Sequence, residues 1–154
     1  MEIMSFWDNL KDKVNTMNAS LQTNIGKFKN AEFANGTMAM CALIAAADGE
    51  ISGQEKGKIA ALITQNEMLK IFPAAELKAK FDHFCDKITA DYDFGKVEAI
   101  QAISKLKSKP DQARAVIQVG IIIGGADGNF DASEKRAVKE ACNAVGISPA
   151  DFDL

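Results

Sequence analysis

The chain has 154 residues, 47% of them hydrophobic and 25% charged, ordinary proportions for a globular protein and enough length for one domain over 1–154 to bury a core without disulfides or an obligatory metal. A net charge of −3 and a pI of about 5.2 give no global basic field for nucleic acid or anionic lipid. No run approaches the roughly 18 uninterrupted apolar residues of a membrane span, residues 1–8 lack the basic and apolar regions of a signal peptide, and three scattered cysteines, Cys41, Cys85 and Cys142, fit a reducing, cytoplasmic compartment.

Ser5 caps a predicted first helix whose apolar residues Phe6, Leu10, Val14, Met17 and Leu21 recur at helical spacing. Its polar face mixes Asp8, Lys11, Asp12 and Lys13, which favours docking on the protein's own core over an interfacial membrane anchor, since such anchors carry a cationic face. After a polar break at 26–30, Asn30 caps a second helix over 31–47 with Phe33, Thr37, Met40, Cys41 and Ile44 inside. Ser52 begins a third, with Ile59, Leu62 and Ile63 inside, and its pattern lapses at 64–66; residues 68–72 bridge to Pro73. Pro73 suits the first turn of a fourth helix carrying Leu77, Phe81, Phe84, Cys85 and Ile88. An acidic and aromatic connector, 91–95, leads to a fifth, defined by Val97, Ile100, Ile103 and Leu106. Its closing lysines, Lys105, Lys107 and Lys109, read as cations suited to the last turn of a helix rather than as a basic patch. Pro110 opens a sixth helix, apolar nearly all round through Val116, Val119 and Ile123, which places it mid-fold. The last runs over 132–145, stops at Gly146, and is followed by a short turn at 148–150. The class is all-α: about seven helices in a compact bundle, with two helix–turn–helix units, about 31–65 and 111–146, related by an approximate two-fold axis.

Those two units carry one motif twice. Ala47-Asp48-Gly49 is followed by Ile51, Ser52 and Glu55-Lys56; Ala126-Asp127-Gly128 is followed by Phe130, Asp131 and Glu134-Lys135, at an offset of 79 residues from 48 to 127. Set on an EF-hand calcium loop, D-x-[DN]-x-[DN]-G-x5-E, Gly49 and Gly128 occupy the glycine. Asp48 and Asp127 then take the fifth position, Ile51 and Phe130 the eighth, Glu55 and Glu134 the twelfth. The first and third positions fail, being Ile44 and Ala46 in one copy, Ile123 and Gly125 in the other. Each copy is the back half of such a loop, with too few oxygens for the six to eight that calcium takes. Helix capping accounts for much of the same pattern: Ser52-x-x-Glu55 is a capping box, Asp131-x-x-Glu134 is close to one, and Gly49 and Gly128 suit helix stops. The residues fit both readings.

If the acids do hold a metal, Asp127, Asp131 and Glu134 form the stronger set and Asp48 with Glu55 the weaker, because Ser52 stands where the second copy has Asp131. Carboxylates alone are hard donors, so calcium is expected before magnesium or zinc. For a ligand set drawn from both copies, the two turns must cluster. His83, the single histidine, with Asp82 and Asp86 beside it, reads as a surface or packing residue, and the cysteines lack both a C-x-x-C spacing and a basic neighbour. No phosphate-binding glycine loop or nucleophile elbow is present.

The segments 4–8, 36–41 and 126–131, with Glu134-Lys135 and the ending 151–154, resemble the TerB family, small cytoplasmic proteins of bacterial tellurite-resistance operons. The resemblance implies an all-helical fold, a role in tolerance to tellurite and related stresses, and metal chelation by the repeated turns. It also implies association with other Ter proteins, a membrane-embedded one among them, and so a cytoplasmic protein peripheral to the inner face of the inner membrane. The function expected is a non-enzymatic, divalent-metal-binding scaffold. The alternatives are a metal-dependent hydrolase or a thiol-based tellurite reductase using Cys41, Cys85 or Cys142, and a helical adaptor whose acids only cap helices.

Overall fold

Apolar runs punctuated by single capping residues dictate the order of elements. A computed structural model of the chain describes residues 28–126, 128 and 130–154, and in it six α-helices follow one another: α1 (Ala31–Ala45), α2 (Gly53–Gln65), α3 (Ala74–Ala90), α4 (Tyr92–Ser104), α5 (Pro110–Gly124) and α6 (Ala132–Val145). Short 3-10 turns span Glu67–Ile71 and Pro149–Phe152, and the described residues contain no strand. The seventh predicted helix, with Ser5, Phe6 and Leu21, lies outside the described residues.

Four helices start on a side-chain oxygen. Asn30 Oδ1 accepts from Phe33 N at 2.9 Å, Ser52 Oγ from Glu55 N at 3.1 Å, Asp91 Oδ1 from Phe94 N at 3.1 Å and Asp131 Oδ1 from Glu134 N at 2.8 Å. Each satisfies a donor that the helix cannot pair internally and contributes about 1 kcal/mol. At the other end of α6, Gly146 adopts φ 73°, the left-handed stop expected of it.

α1 is the centre of the molecule. Phe33, Ala34 and every residue from Gly36 to Ala45 are buried, so α1 has no solvent face beyond its first turn. It packs on α3, α4, α5 and α6. Thr37, fully buried there, donates its hydroxyl to the Phe33 carbonyl at 2.7 Å and so leaves no unpaired donor in the core. α5 is the second central helix, burying Val116, Ile117, Val119, Gly120, Ile121 and Ile123, as its all-round apolar pattern requires.

Three sequence expectations are corrected. Residues 91–95 are no connector: α4 begins at Tyr92, one residue after α3 ends, because Asp91 caps it directly. The inner face of α4 is made by Gly95, Ala99 and Ile103, with Leu106 buried just beyond its end, while Val97 is 51% exposed. Small residues replace the expected large one because α4 lies almost against the α3 backbone: a Cβ on Gly95 would stand 2.4 Å from Ile88 N and Cα. The lysines, finally, sit at or past the end of α4. Lys105 is its C-cap residue, Lys107 follows in a turn, and Lys109 is the N-cap residue of α5, where it reaches Glu32 of α1 at 2.6 Å.

Candidate acidic cavity between the repeated turns

The two motif copies share one backbone turn. The capping box expected at Ser52 and Glu55 is only half formed, with Ser52 capping Glu55 N and no return bond, whereas Asp131 and Glu134 form it in full. The C-cap residues Ala46 and Gly125 have φ/ψ of −97°/7° and −94°/4°. Ala47 N donates to Ile44 O at 3.2 Å and Ala126 N to Ile123 O at 3.4 Å; Gly49 N donates to Ala46 O and Gly128 N to Gly125 O, both at 3.0 Å. Gly49 and Gly128 take φ of 107° and 80° with open space where a Cβ would go. Glycine is therefore required by backbone conformation and not by crowding. Next come the N-caps: Lys56 N donates to Ser52 O and Lys135 N to Asp131 O, again both at 3.0 Å.

Between the copies the apolar residue of the motif turns inward. Phe130 is buried against Gly124, whose missing side chain makes room for the ring: a Cβ there would stand 2.9 Å from Phe130 Cε1 and 3.5 Å from Ile44 Cδ1. Ile51 packs less deeply against the same core. Tyr92, which sequence reasoning passed over as a connector residue, donates its hydroxyl to the Ala46 carbonyl at 3.3 Å and so pins the end of α1 from α4. Lys96 lies over the Tyr92 ring at 5.4 Å and pairs with Glu140 of α6 at 3.3 Å. Only a tertiary structure could have revealed the whole set, since Tyr92 and Lys96 of α4 meet the end of α1 at Ala46 and Glu140 of α6.

With the turns so held, Asp48 and Glu55 of the first copy and Asp131 and Glu134 of the second line one cavity of about 90 Å³. Its floor is Ile44, Ile59, Ile123 and Gly124, and Lys58 joins the carboxylates on its wall. Four of the five sequence-predicted site residues thus share one place; the fifth, Asp127, lies outside the described residues. Part of this carboxylate capacity serves the helices. Asp131 and Glu134 form a reciprocal capping box, with Asp131 N donating to Glu134 Oε1 at 3.0 Å. Asp48 Oδ1 receives Glu50 N in a longer contact of 3.4 Å, the turn chemistry usual for Asp before Gly. Among the described residues no three carboxylates, imidazoles or thiols stand close enough to share one metal ion. The acids that line the cavity offer hard oxygen atoms and come from both copies.

Elsewhere the candidate groups are dispersed. His83 turns away from Asp82 and Asp86 toward Glu98 on α4, with Nε2 3.1 Å from Oε2. Asp82 is taken by Lys78 at 2.6 Å and by Lys56 at 3.4 Å, and Lys56 also reaches Asp86 at 3.8 Å. The three cysteines are free thiols and all buried. Burial pushes Cys142 up to about 11 and Cys85 to about 12, and raises Cys41 further still, so none is held as a thiolate near neutrality. No described helix is long and apolar enough to cross a membrane.

Comparison with known proteins adds a family to this geometry. The sequence model of the family described as "Tellurite resistance protein TerB" matches residues 34–154, which include both acidic turns. A protein of Alcaligenes sp. named "Tellurium resistance protein TerB" is 35% identical over 118 residues, covering 77% of this chain and 97% of its own. No solved structure matches the chain.

Proposed function

Because the chain belongs to the TerB family of tellurite-resistance proteins, we propose that it is a non-enzymatic scaffold of such a system, which takes a divalent cation between its two acidic turns and binds partner Ter proteins. The observation that carries this reading is the shared cavity: acids 79 residues apart in the chain, at 55 and 134, line one small space. Isolated half-loops lack the oxygens for an ion; in this reading acids of both copies, Asp127 among them, come together on the ion as it binds, with turn carbonyls and water completing the shell. Asp48, Glu55 and Asp131 are exposed, so their side chains have room to turn. Calcium tolerates an irregular shell of this kind better than magnesium does, and no thiol or imidazole lines the cavity to recruit zinc. The proposed place of action is the cytoplasm, peripheral to the inner membrane alongside the partner Ter proteins. The enzymatic alternatives, a metal-dependent hydrolase or a thiol-based tellurite reductase, have less support, since the thiols are buried and protonated.

One observation favours a second reading, an adaptor whose acids only cap helices: Asp131 and Glu134 already satisfy each other's backbone donors. Calcium-dependent melting separates the two. The parent protein is expected to melt higher in millimolar calcium, by mass action on the folded state. The double variant Asp127→Asn, Asp131→Asn keeps cap-forming oxygens but loses two charges, and most of the calcium shift should go with them. An unchanged shift in that variant, or none in the parent, leaves capping as the whole role of the acids.

A further inference from the structure

Between α2 and α3 runs an apolar groove of about 450 Å³. Its floor is apolar, with Ile63, Phe72 and Phe81, and its lips carry small exposed residues, Ala61 and Thr64 on α2 and Ala75 on α3. At one end Lys56 of α2 reaches Asp82 of α3 at 3.4 Å; Phe72 stands at the other. From Lys56 to Thr64 along α2 is eight residues, so the groove is about 12 Å long, a little over two helical turns. α2 itself buries only Ile59 and Ile63 among its 13 residues, which leaves this edge of it thinly packed. The chain enters the described structure beside the groove. Phe28, the first described residue, is buried with its ring 5.2 Å from Phe33, and Phe33 stacks on Phe72 at 6.3 Å. Residues 1–27, before it, lie outside the described residues. The sequence predicts a helix there, with Val14, Met17 and Leu21 at i, i+3 and i+7, the spacing by which an amphipathic helix fills an apolar groove.

We propose that the α2–α3 groove is the seat of the chain's own N-terminal segment, with Val14, Met17 and Leu21 directed onto its apolar floor. Length permits it. The seven residues from Leu21 to Phe28 reach up to about 23 Å, ample for the two ring contacts that separate Phe28 from the groove at Phe72. Seven more, from Val14 to Leu21, rise about 10 Å as a helix, which matches the apolar stretch between Phe72 and Lys56. In that register the charged run Lys11-Asp12-Lys13 falls at the end closed by Lys56 and Asp82, so charge meets charge and apolar meets apolar. The small lips let a helix backbone come close, as alanine and threonine do wherever helices lie near one another. A seated segment gives α2 a second apolar contact and closes the groove to any other helix.

The test uses the full-length protein with engineered cysteine pairs, the native thiols being buried. Met17→Cys is combined in turn with Ala61→Cys, with Ala75→Cys and, as the control, with Lys139→Cys on the exposed side of α6. A disulfide needs Cα atoms within about 7 Å, so mild oxidation of dilute protein joins only positions that the fold holds together. The groove pairs should close within one chain at least about tenfold faster than the control, because a seated segment raises the local thiol concentration far above that of a loose tether. Comparable rates for all three pairs would overturn the proposal. Covalent dimers joined between positions 17 and 61 would overturn it as well, giving the groove to the segment of a second copy. Thermal melts provide a reading free of cysteines. Met17→Asp puts a charge onto the apolar floor and should melt several degrees below the parent, whereas Asn15→Asp, on the opposite face of the predicted helix, should stay close to it. A Met17→Asp protein that melts with the parent would leave the groove without this occupant.

Discussion

At Gly95 a single hydrogen in place of a methyl group sets how closely two helices lie. Glycine inside a helix is usually a liability of about 1 kcal/mol against alanine, so Gly→Ala on a helix would ordinarily stabilise. Here the added Cβ would meet Ile88 N and Cα at 2.4 Å and Lys87 C at 2.6 Å. These are backbone atoms that cannot rotate away. Overpacking of this kind costs about 1–3 kcal/mol, which outweighs the gain in propensity. Gly95→Ala should therefore lower the melting temperature by several degrees, and an unchanged or higher value would show that α4 can slide on α3. The cysteines act through protonation instead. Desolvation raises Cys85 to about 12 and Cys142 to about 11 from an ordinary 9.0. Between those limits the unfolded chain has lost thiol protons that the folded chain still holds. Their stabilising contribution is complete below about pH 9 and disappears as pH climbs to about 12. The Cys85→Ser, Cys142→Ser double variant should consequently lose less stability than the parent between pH 9 and 11, although it starts lower through poorer packing. Equal alkaline slopes would contradict the burial account.

Between elements, capping and metal binding can be told apart at the start of α6. Asp131→Ala removes the cap to Glu134 N but keeps the backbone donor of the return bond to Glu134 Oε1, and should cost about 1 kcal/mol in any buffer. Asp131→Asn should cost only a few tenths, because an amide oxygen still caps. Urea midpoints for the two variants in chelator give that difference, and a larger loss for Asn than for Ala would argue that charge, not capping, holds the helix start. The chain order of helices was legible because each apolar run begins on a capping residue, as with Asn30, Ser52 and Asp131, or at a proline, as with Pro110. The α3–α4 junction was not. Asp91-Tyr92-Asp93-Phe94-Gly95 has the composition of a loop, and the close approach of Gly95 to the Ile88 backbone is something no local pattern records. The same holds at the cavity. The repeat exposed Asp48, Glu55, Asp131 and Glu134 as a set, whereas the Tyr92 contact to Ala46 arises only when helices meet.

Over the whole molecule, the two helix–turn–helix units share their interior instead of each owning one. α1 belongs to the first unit, yet it packs on α5 and α6 of the second as well as on α3 and α4 between them. Ile44 and Ile123, equivalent residues of the two copies, meet in the floor of one cavity with Gly124. Neither copy can bury its central helix alone, for α1 has no exposed face left beyond its first turn. Loss of either unit would uncover Met38, Met40, Ile44 or their partners, at about 25 cal/mol for each Å² of apolar surface returned to water. The repeat is thus expected to unfold as one cooperative unit despite its internal duplication, unlike a linear array whose repeats touch only their neighbours. Urea denaturation followed by far-UV and near-UV circular dichroism should give coincident curves with a single slope. Calcium, acting at a cavity built from both copies, should move the midpoint of that one transition upward and leave the slope unchanged, because it stabilises the folded state without altering how much surface unfolding exposes. Two resolved transitions, or calcium moving only part of the signal, would mean that each turn works within its own unit and that the shared cavity is not where the ion is held.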